Sequence, residues 1–249
     1  MIIPKIKKKH MRTTWIITRR ELNSYFDSLT AYIMLVLFLG FSGLFTWILG
    51  NDIFMIGQAS LRSFFGVSYW TLFIFIPALT MRLIAEENRS GTIELLLTKP
   101  VTDRQLVWGK FLAALLLVVV ALAFTFPYVI TVASIGNLDQ GAVFCGYLGL
   151  MLLSAVYISI GLYASSISGN QIVAFLIAIF IGLFFQIVFD LLARTFSGFA
   201  GELFNYLSIS THFESMSRGV VDTKDLIYFL SLVVLFMKMA EDSLARRNA

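Results

Sequence analysis

The densest group of charged and helix-breaking residues in this sequence is Glu86-Glu87-Asn88-Arg89-Ser90-Gly91-Thr92-Ile93-Glu94, followed by Leu96, Leu97 and Pro100. Long apolar runs lie on both sides of it. Arg82 and Glu86 stand at i,i+4, and Glu86 and Arg89 at i,i+3, so opposite charges can meet on one helix face. Gly91 is placed to end that helix. Acids near a helix C-terminus oppose its macrodipole, so Glu86 and Glu87 need Arg82, Arg89 or a cationic partner to offset them. A second short helix is expected from Thr92 to about Thr98, with Ile93, Leu96 and Leu97 on one face and Pro100 as its stop. Thr102-Asp103-Arg104-Gln105 then forms a capping box, with Val101 and Leu106 as its hydrophobic staple. Helix, turn, short amphipathic helix, proline and capped helix make a rigid elbow. Its chemistry is that of a docking surface able to pass a partner's movement to the helices on either side.

Other chemistries lack their residues. A P-loop needs G-x-x-x-x-G-K-[ST], but Gly109-Lys110 is followed by Phe111 and opens an apolar run. No soluble stretch is long enough for a nucleotide-binding domain. The single cysteine, Cys145, excludes an intramolecular disulfide and a cysteine-cluster metal site. His10 and His212 fall on opposite sides of the expected membrane, so no metal site is assigned. Ion carriers need ionisable groups near the bilayer midplane, and a lipid hydrolase needs a polar cluster. The apolar runs supply neither. Asp190 and Arg194, at i,i+4, are expected to pair with each other. No residue is assigned a catalytic role, and the chain is expected not to be an enzyme.

The elements that must hold the elbow are membrane helices. The 249 residues are 58% apolar and 14% charged, with a mean hydropathy of +0.84; soluble domains carry about 25% charged residues. Several apolar runs exceed the ~18 residues that read as a span. Six spans are expected: Ala31–Gly50, Phe64–Ile84, Gln105–Ala133, Ala142–Ser166, Asn170–Leu192 and Leu226–Ala240. The last is the weakest, because Lys238 lies inside it. Every basic residue except Arg62, Arg194, Arg218 and Lys224 falls on one side of this arrangement. The positive-inside rule makes that side the cytoplasm, with both termini inside. It also accounts for the net charge of +4 without nucleic acid. The first span is expected to be uncleaved, since some 30 residues precede it and no A-x-A site follows.

Residues 12–29 are expected to form an interfacial helix, with Trp15, Leu22, Phe26 and Leu29 apolar and Arg12, Arg19 and Arg20 toward anionic lipid. Residues 86–104 form the cytoplasmic loop. Residues 193–223 form an external loop carrying a short helix that lies on the outer leaflet or meets an extracytoplasmic partner. Asp222 to Asp225 cap the sixth span. Ala174, Ala178 and Gly182 follow small-xxx-small and offer a close-packing face, either between two subunits or within one. Pro77 and Pro127 are candidate breaks in spans two and three. The whole chain, 1–249, is read as one all-α transmembrane domain.

EENRSGTIELLLTKPVTDRQLVWGKF resembles the E-E-x-x-x-G-T-[IL]-E-x-L-L-x-x-P-[VL] … G-K-[FY] segment of ABC-2-type transporter permeases. The match falls on Glu86, Glu87, Gly91, Thr92, Ile93, Glu94, Leu96, Leu97, Pro100, Val101, Gly109, Lys110 and Phe111. RRELNSYFDSLTAYI and HFESMSRGVVDTKDLIYFLSLVVLF are similar to the start and end of gliding-motility-associated permeases. The chain also resembles the nitrous-oxide-reductase maturation permeases. The resemblance implies a type V exporter-like fold in a bacterial inner membrane, and a homodimer or heterodimer of six-helix subunits. It also implies two separate ATPase subunits, which hold the ATP and Mg and dock on the coupling loop. The coupling residues it implies are Glu86, Glu87, Arg89, Gly91, Thr92, Ile93, Glu94, Leu96, Leu97 and Pro100. Reversing Glu86 and Glu87 together is then expected to uncouple ATPase stimulation without unfolding. The alternative is a scaffold that anchors a surface machine and transports nothing.

Overall fold

The computed structural model describes residues 3–49, 60–90 and 102–247, and the side chains of 13–49, 60–90 and 102–246. Gly91, Thr92, Ile93, Glu94, Leu96, Leu97 and Pro100 therefore lie outside the described residues, as does Val101 of the staple.

Every regular element among the described residues is helical. Helix α1, Ile3–Asp27, stops one residue before Ser28. Ser28 caps α2, Leu29–Trp47, by accepting from the Thr30 amide. Helix α3 is Arg62–Thr80, α4 is Ala85–Ser90, α5 is Asp103–Ala123 and α6 is Phe126–Ile135. Helix α7, Gln140–Ile167, starts on Asp139, whose carboxylate accepts from Gly141 and Ala142. Helix α8, Gln171–Leu183, runs through a π turn at Phe184–Val188 into α9, Phe189–Thr195. Helices α10, Phe199–Leu207, and α11, Ile209–Ser217, precede α12, Thr223–Arg247.

Five of these stretches are long and apolar enough to cross a membrane: Leu29–Trp47, Arg62–Ser90, Asp103–Ile135, Gln140–Ile167 and Gln171–Thr195. The chain is an integral membrane protein. The expected sixth span is helical, but Lys238, Glu241 and Asp242 leave it short of that apolar standard.

Three spans are interrupted, the third of them at one of the two candidate proline breaks. The second span was expected to stay helical past Arg82; it breaks at residues 81–84, for a reason given below. The third breaks between α5 and α6, just before Pro127. Pro127 has no amide proton, and the Thr125 hydroxyl turns back to Leu122 O and meets the Tyr147 hydroxyl at 2.8 Å. The fifth carries the π turn, which directs Gln186 into the core to accept from the Tyr157 hydroxyl. Pro77, by contrast, stays inside α3.

Helix α7 is the centre of the bundle and touches α3, α5, α8, α11 and α12. Its packing depends on close approach at Gly161, where a Cβ would collide with the Thr80 hydroxyl. Gly161→Ala is expected to cost about 1–3 kcal/mol through overpacking, read as a lower thermal midpoint of the purified protein.

Of the apolar residues expected on residues 12–29, Trp15 and Leu29 are 59% and 73% exposed, while Leu22 and Phe26 pack against the core. Thr18 is buried where α1 meets α5. The external loop differs from expectation. Residues 193–223 hold two helices rather than one. Helix α10 is largely exposed, but α11 is wedged against α7 and α12 with Ile209, His212, Phe213 and Met216 buried. His212 meets Asp225 at 2.7 Å and Tyr206 O at 3.0 Å. Burial of the His212 ring is tolerated because both of its nitrogens find partners. Asp222 accepts from the Lys224 amide, whereas Asp225 is committed to His212 rather than to a cap.

Candidate functional site

The site is assembled where α1, α4, α5 and the end of α12 converge. Its first component is the break in the second span. The Ile84 and Ala85 amides do not continue the helical ladder. Both donate to Ser165 Oγ of α7, at 3.0 and 2.9 Å. The same hydroxyl donates to Met81 O at 3.0 Å. A serine hydroxyl offers one proton and two lone pairs, and all are used here. One side chain of the central helix therefore replaces a turn of hydrogen bonding in α3 and lets the chain restart as α4.

The restart changes the status of Glu86 and Glu87. They fall in the first turn of α4, where the helix dipole favours acids, rather than near a C-terminus where it opposes them. The expected local pairs do not form: Arg82 donates to Thr30 Oγ1 at 3.2 Å, and Glu86 and Arg89 are exposed.

Glu87 instead reaches Lys110 Nζ at 2.7 Å. Lys110 is 1% exposed, and its ammonium also lies 3.5 Å from Glu21 Oε1 of α1. Glu21 in turn pairs with Arg20 at 3.3 Å. A buried ammonium needs compensating charge, and here two carboxylates from two other helices supply it. The G-K-F triplet then has a physical reading. Gly109 lets α1 approach, since a Cβ there would lie 2.6 Å from Ile17 Cγ2. The carbonyl of Gly109 accepts from Thr18 Oγ1 at 3.2 Å. Lys110 holds α1, α4 and α5 together, and Phe111 is buried in the core. Gly109→Val should push α1 off α5 and break the Thr18 bond. The expected signature is faster proteolysis or hydrogen exchange of residues 13–27 than in the parent protein.

The start of α5 is set as expected. Thr102 Oγ1 accepts from the Gln105 amide at 3.3 Å, and Gln105 Oε1 accepts from the Thr102 amide at 3.0 Å. Trp108 Nε1 donates to Glu241 of α12 at 3.1 Å, and Arg104 lies 3.8 Å from the same carboxylate. Four helices are thus cross-linked through Glu21, Glu87, Lys110 and Glu241. Glu87 and Lys110 stood out in the sequence as motif residues; Glu21 and Glu241 did not, nor did Ser165. Nothing local marks them, because each acts on a helix far away in sequence.

Ala174, Ala178 and Gly182 are buried within the chain, and a Cβ on Gly182 would lie 2.9 Å from Phe73 Cε2. Of the two packing roles considered for this face, the chain itself occupies the one within the subunit. The opposite face of the fifth span exposes Ile172, Leu176, Phe180 and Leu191.

Residues 57–240 match the family model described as ABC-2 family transporter protein. No curated protein matches the chain.

Proposed function

Because the chain belongs to the ABC-2 transporter family, we propose that it is the permease subunit of a bacterial inner-membrane ABC complex. In this reading a separate ATPase subunit, present in two copies with its ATP and Mg, drives export or mechanical work. Residues 86–104 are the input surface. The bilayer is crossed six times, with α12 as the last span and both termini cytoplasmic. The basic bias and the stripe Phe229, Leu232, Phe236 and Ala240 of α12, buried toward the bundle, support that topology. Two copies pair through the exposed apolar face of the fifth span, the least buried of the five.

The observation that carries the proposal is the bracing of α4. Its start is tied to α7 by Ser165 and its second acid to α5 and α1 by Lys110. A push on α4 or the loop after it therefore reaches three other helices without passing through a flexible hinge. The apolar spans fit a subunit whose energy comes from a partner.

The geometry separates the two acids. Glu86 is exposed and unpaired among the described residues, while Glu87 neutralises buried Lys110. Glu86→Lys should leave folding intact and reduce the stimulation of the ATPase by the assembled complex severalfold. Glu87→Lys should also destabilise the subunit. The test is ATPase activity of the reconstituted complex beside the thermal midpoint of each variant. Full stimulation with Glu86→Lys would remove this surface from the coupling path. Purification of the tagged chain without an ATPase subunit would favour a scaffold over a transporter.

A further inference from the structure

A polar cavity of about 320 Å³ lies beneath α1, walled by the start of α2, the 81–84 turn, α4 and Lys110. Its wall leaves specific hydrogen-bonding capacity unused. Tyr25 is only 5% exposed and its hydroxyl has no partner. Arg82 Nε and Glu87 Oε2 are also buried without partners. All three residues line the same space. Buried polar atoms of a folded protein are rarely left unmatched, so an unpaired phenol, guanidinium N–H and carboxylate oxygen around one cavity mark a place for a polar guest.

The charges define that guest. Arg20, Glu21, Glu87 and Lys110 are joined by ion pairs and cancel. Arg82 and Glu86 form no ion pair among the described residues, and both line the cavity. One cation and one anion are left, so the complementary guest carries one negative and one positive group. The surroundings point to a lipid rather than a protein side chain. Ser28 and Thr30 line the cavity where α2 enters the membrane. Leu29, between them, opens an exposed apolar stripe with Ile33 and Val36. A headgroup in the cavity would place its acyl chains along that stripe.

We propose that this cavity binds the headgroup of a zwitterionic, ammonium-bearing phospholipid of the phosphatidylethanolamine type. The phosphate faces Arg82 and the Tyr25 hydroxyl, the ammonium faces Glu86 and Glu87 Oε2, and the acyl chains lie on α2. The assignment rests on the topology above, which puts this end of the bundle at the cytoplasmic headgroup layer. The lipid would fill the joint between α1 and the coupling segment and make the joint's stiffness depend on membrane composition.

The test is native mass spectrometry of the full chain, alone and with its co-purified ATPase subunit. The protein is released from nanodiscs containing equal amounts of phosphatidylethanolamine and phosphatidylglycerol, with free phosphoethanolamine added in a separate arm. The expected result is retained phosphatidylethanolamine, preferred by about tenfold. Retention should fall roughly tenfold in Tyr25→Phe, which removes one hydroxyl and leaves the packing, and in Glu86→Gln. Equal retention of phosphatidylglycerol, capture of free phosphoethanolamine in place of lipid, or unchanged retention in both variants would overturn the assignment. So would a photocrosslink from position 25 to the ATPase subunit instead of lipid. ATPase co-purification is scored separately, so loss of the transporter reading and loss of the lipid site are distinguishable.

Discussion

Lys110→Met is expected to lower the stability of the subunit by about 3 kcal/mol, because removing one member of a buried ion cluster leaves its partners uncompensated. Methionine keeps the approximate length and volume of lysine, so the loss is electrostatic rather than a packing defect. The carboxylates of Glu21 and Glu87 are 13% and 16% exposed. Water therefore reaches them in part, which places the effect at the low end of the range for fully buried pairs. The check is a double-mutant cycle on thermal or denaturant unfolding in detergent. Lys110→Met combined with Glu87→Leu should recover a large part of the loss, since it removes a second charge that needed the first. If the two losses simply add, Lys110 does not hold α4 to α5. The cycle also separates folding from coupling. The double variant should be stable yet transmit poorly, because an apolar contact that slides has replaced a directional link.

Ser165→Ala should produce the second large effect. It removes the acceptor of two buried amides and the donor to Met81 O. Each buried amide left without an acceptor costs about 1–3 kcal/mol, so the two together predict a loss of about 2–6 kcal/mol. The loss should be local. Residues 81–90 should exchange amide hydrogens faster by an order of magnitude or more, while the body of α7 keeps its protection. Unchanged exchange across 81–90 would mean that the turn is held by something other than this hydroxyl. Ser165→Thr keeps the hydroxyl and should restore most of the protection. In the assembled complex, Ser165→Ala should reduce ATPase stimulation while Glu86 and its surroundings stay intact, because the input is received but not transmitted to α7.

What could be anticipated from residues followed from local rules. The start of α5 was legible because a capping box is a four-residue motif whose bonds close on themselves. Apolar length alone located the five spans. The Asp190–Arg194 pair was legible at i,i+4 and forms at 3.0 Å. The Arg82–Glu86 pair has the same spacing and does not form. The Glu86 amide still donates to Arg82 O at 3.2 Å, but the Arg82 guanidinium is taken by Thr30 Oγ1 of α2. Spacing on a helix predicts a contact only when no group from another helix claims the side chain first.

The elbow region shows the same division. Its charges and helix breakers pointed to a rigid segment between two spans, and Glu87 and Lys110 were both visible as motif residues. Their contact was not visible, because it crosses from α4 to α5 and needs α1 at Gly109. Helix α11 gives a second instance. ISTHFESMS is polar and would be expected at a surface, yet one side of it is buried, including His212. His212 finds Asp225 and Tyr206 O, and those partners make the burial tolerable.

By itself, then, the sequence determined that this chain is a helical membrane protein, where its apolar helices lie, how α5 begins, and which stretch carries the family's motif. These depend on composition, hydrophobic length and neighbours within about one helical turn. Only the tertiary structure decided where the second and fifth spans break, which of the two candidate prolines interrupts its span, which acid is structural and which is free, and which side of the fifth span is already occupied. Those outcomes depend on groups brought together from distant helices, where one hydroxyl or one ammonium satisfies several partners at once. No local pattern encodes that meeting.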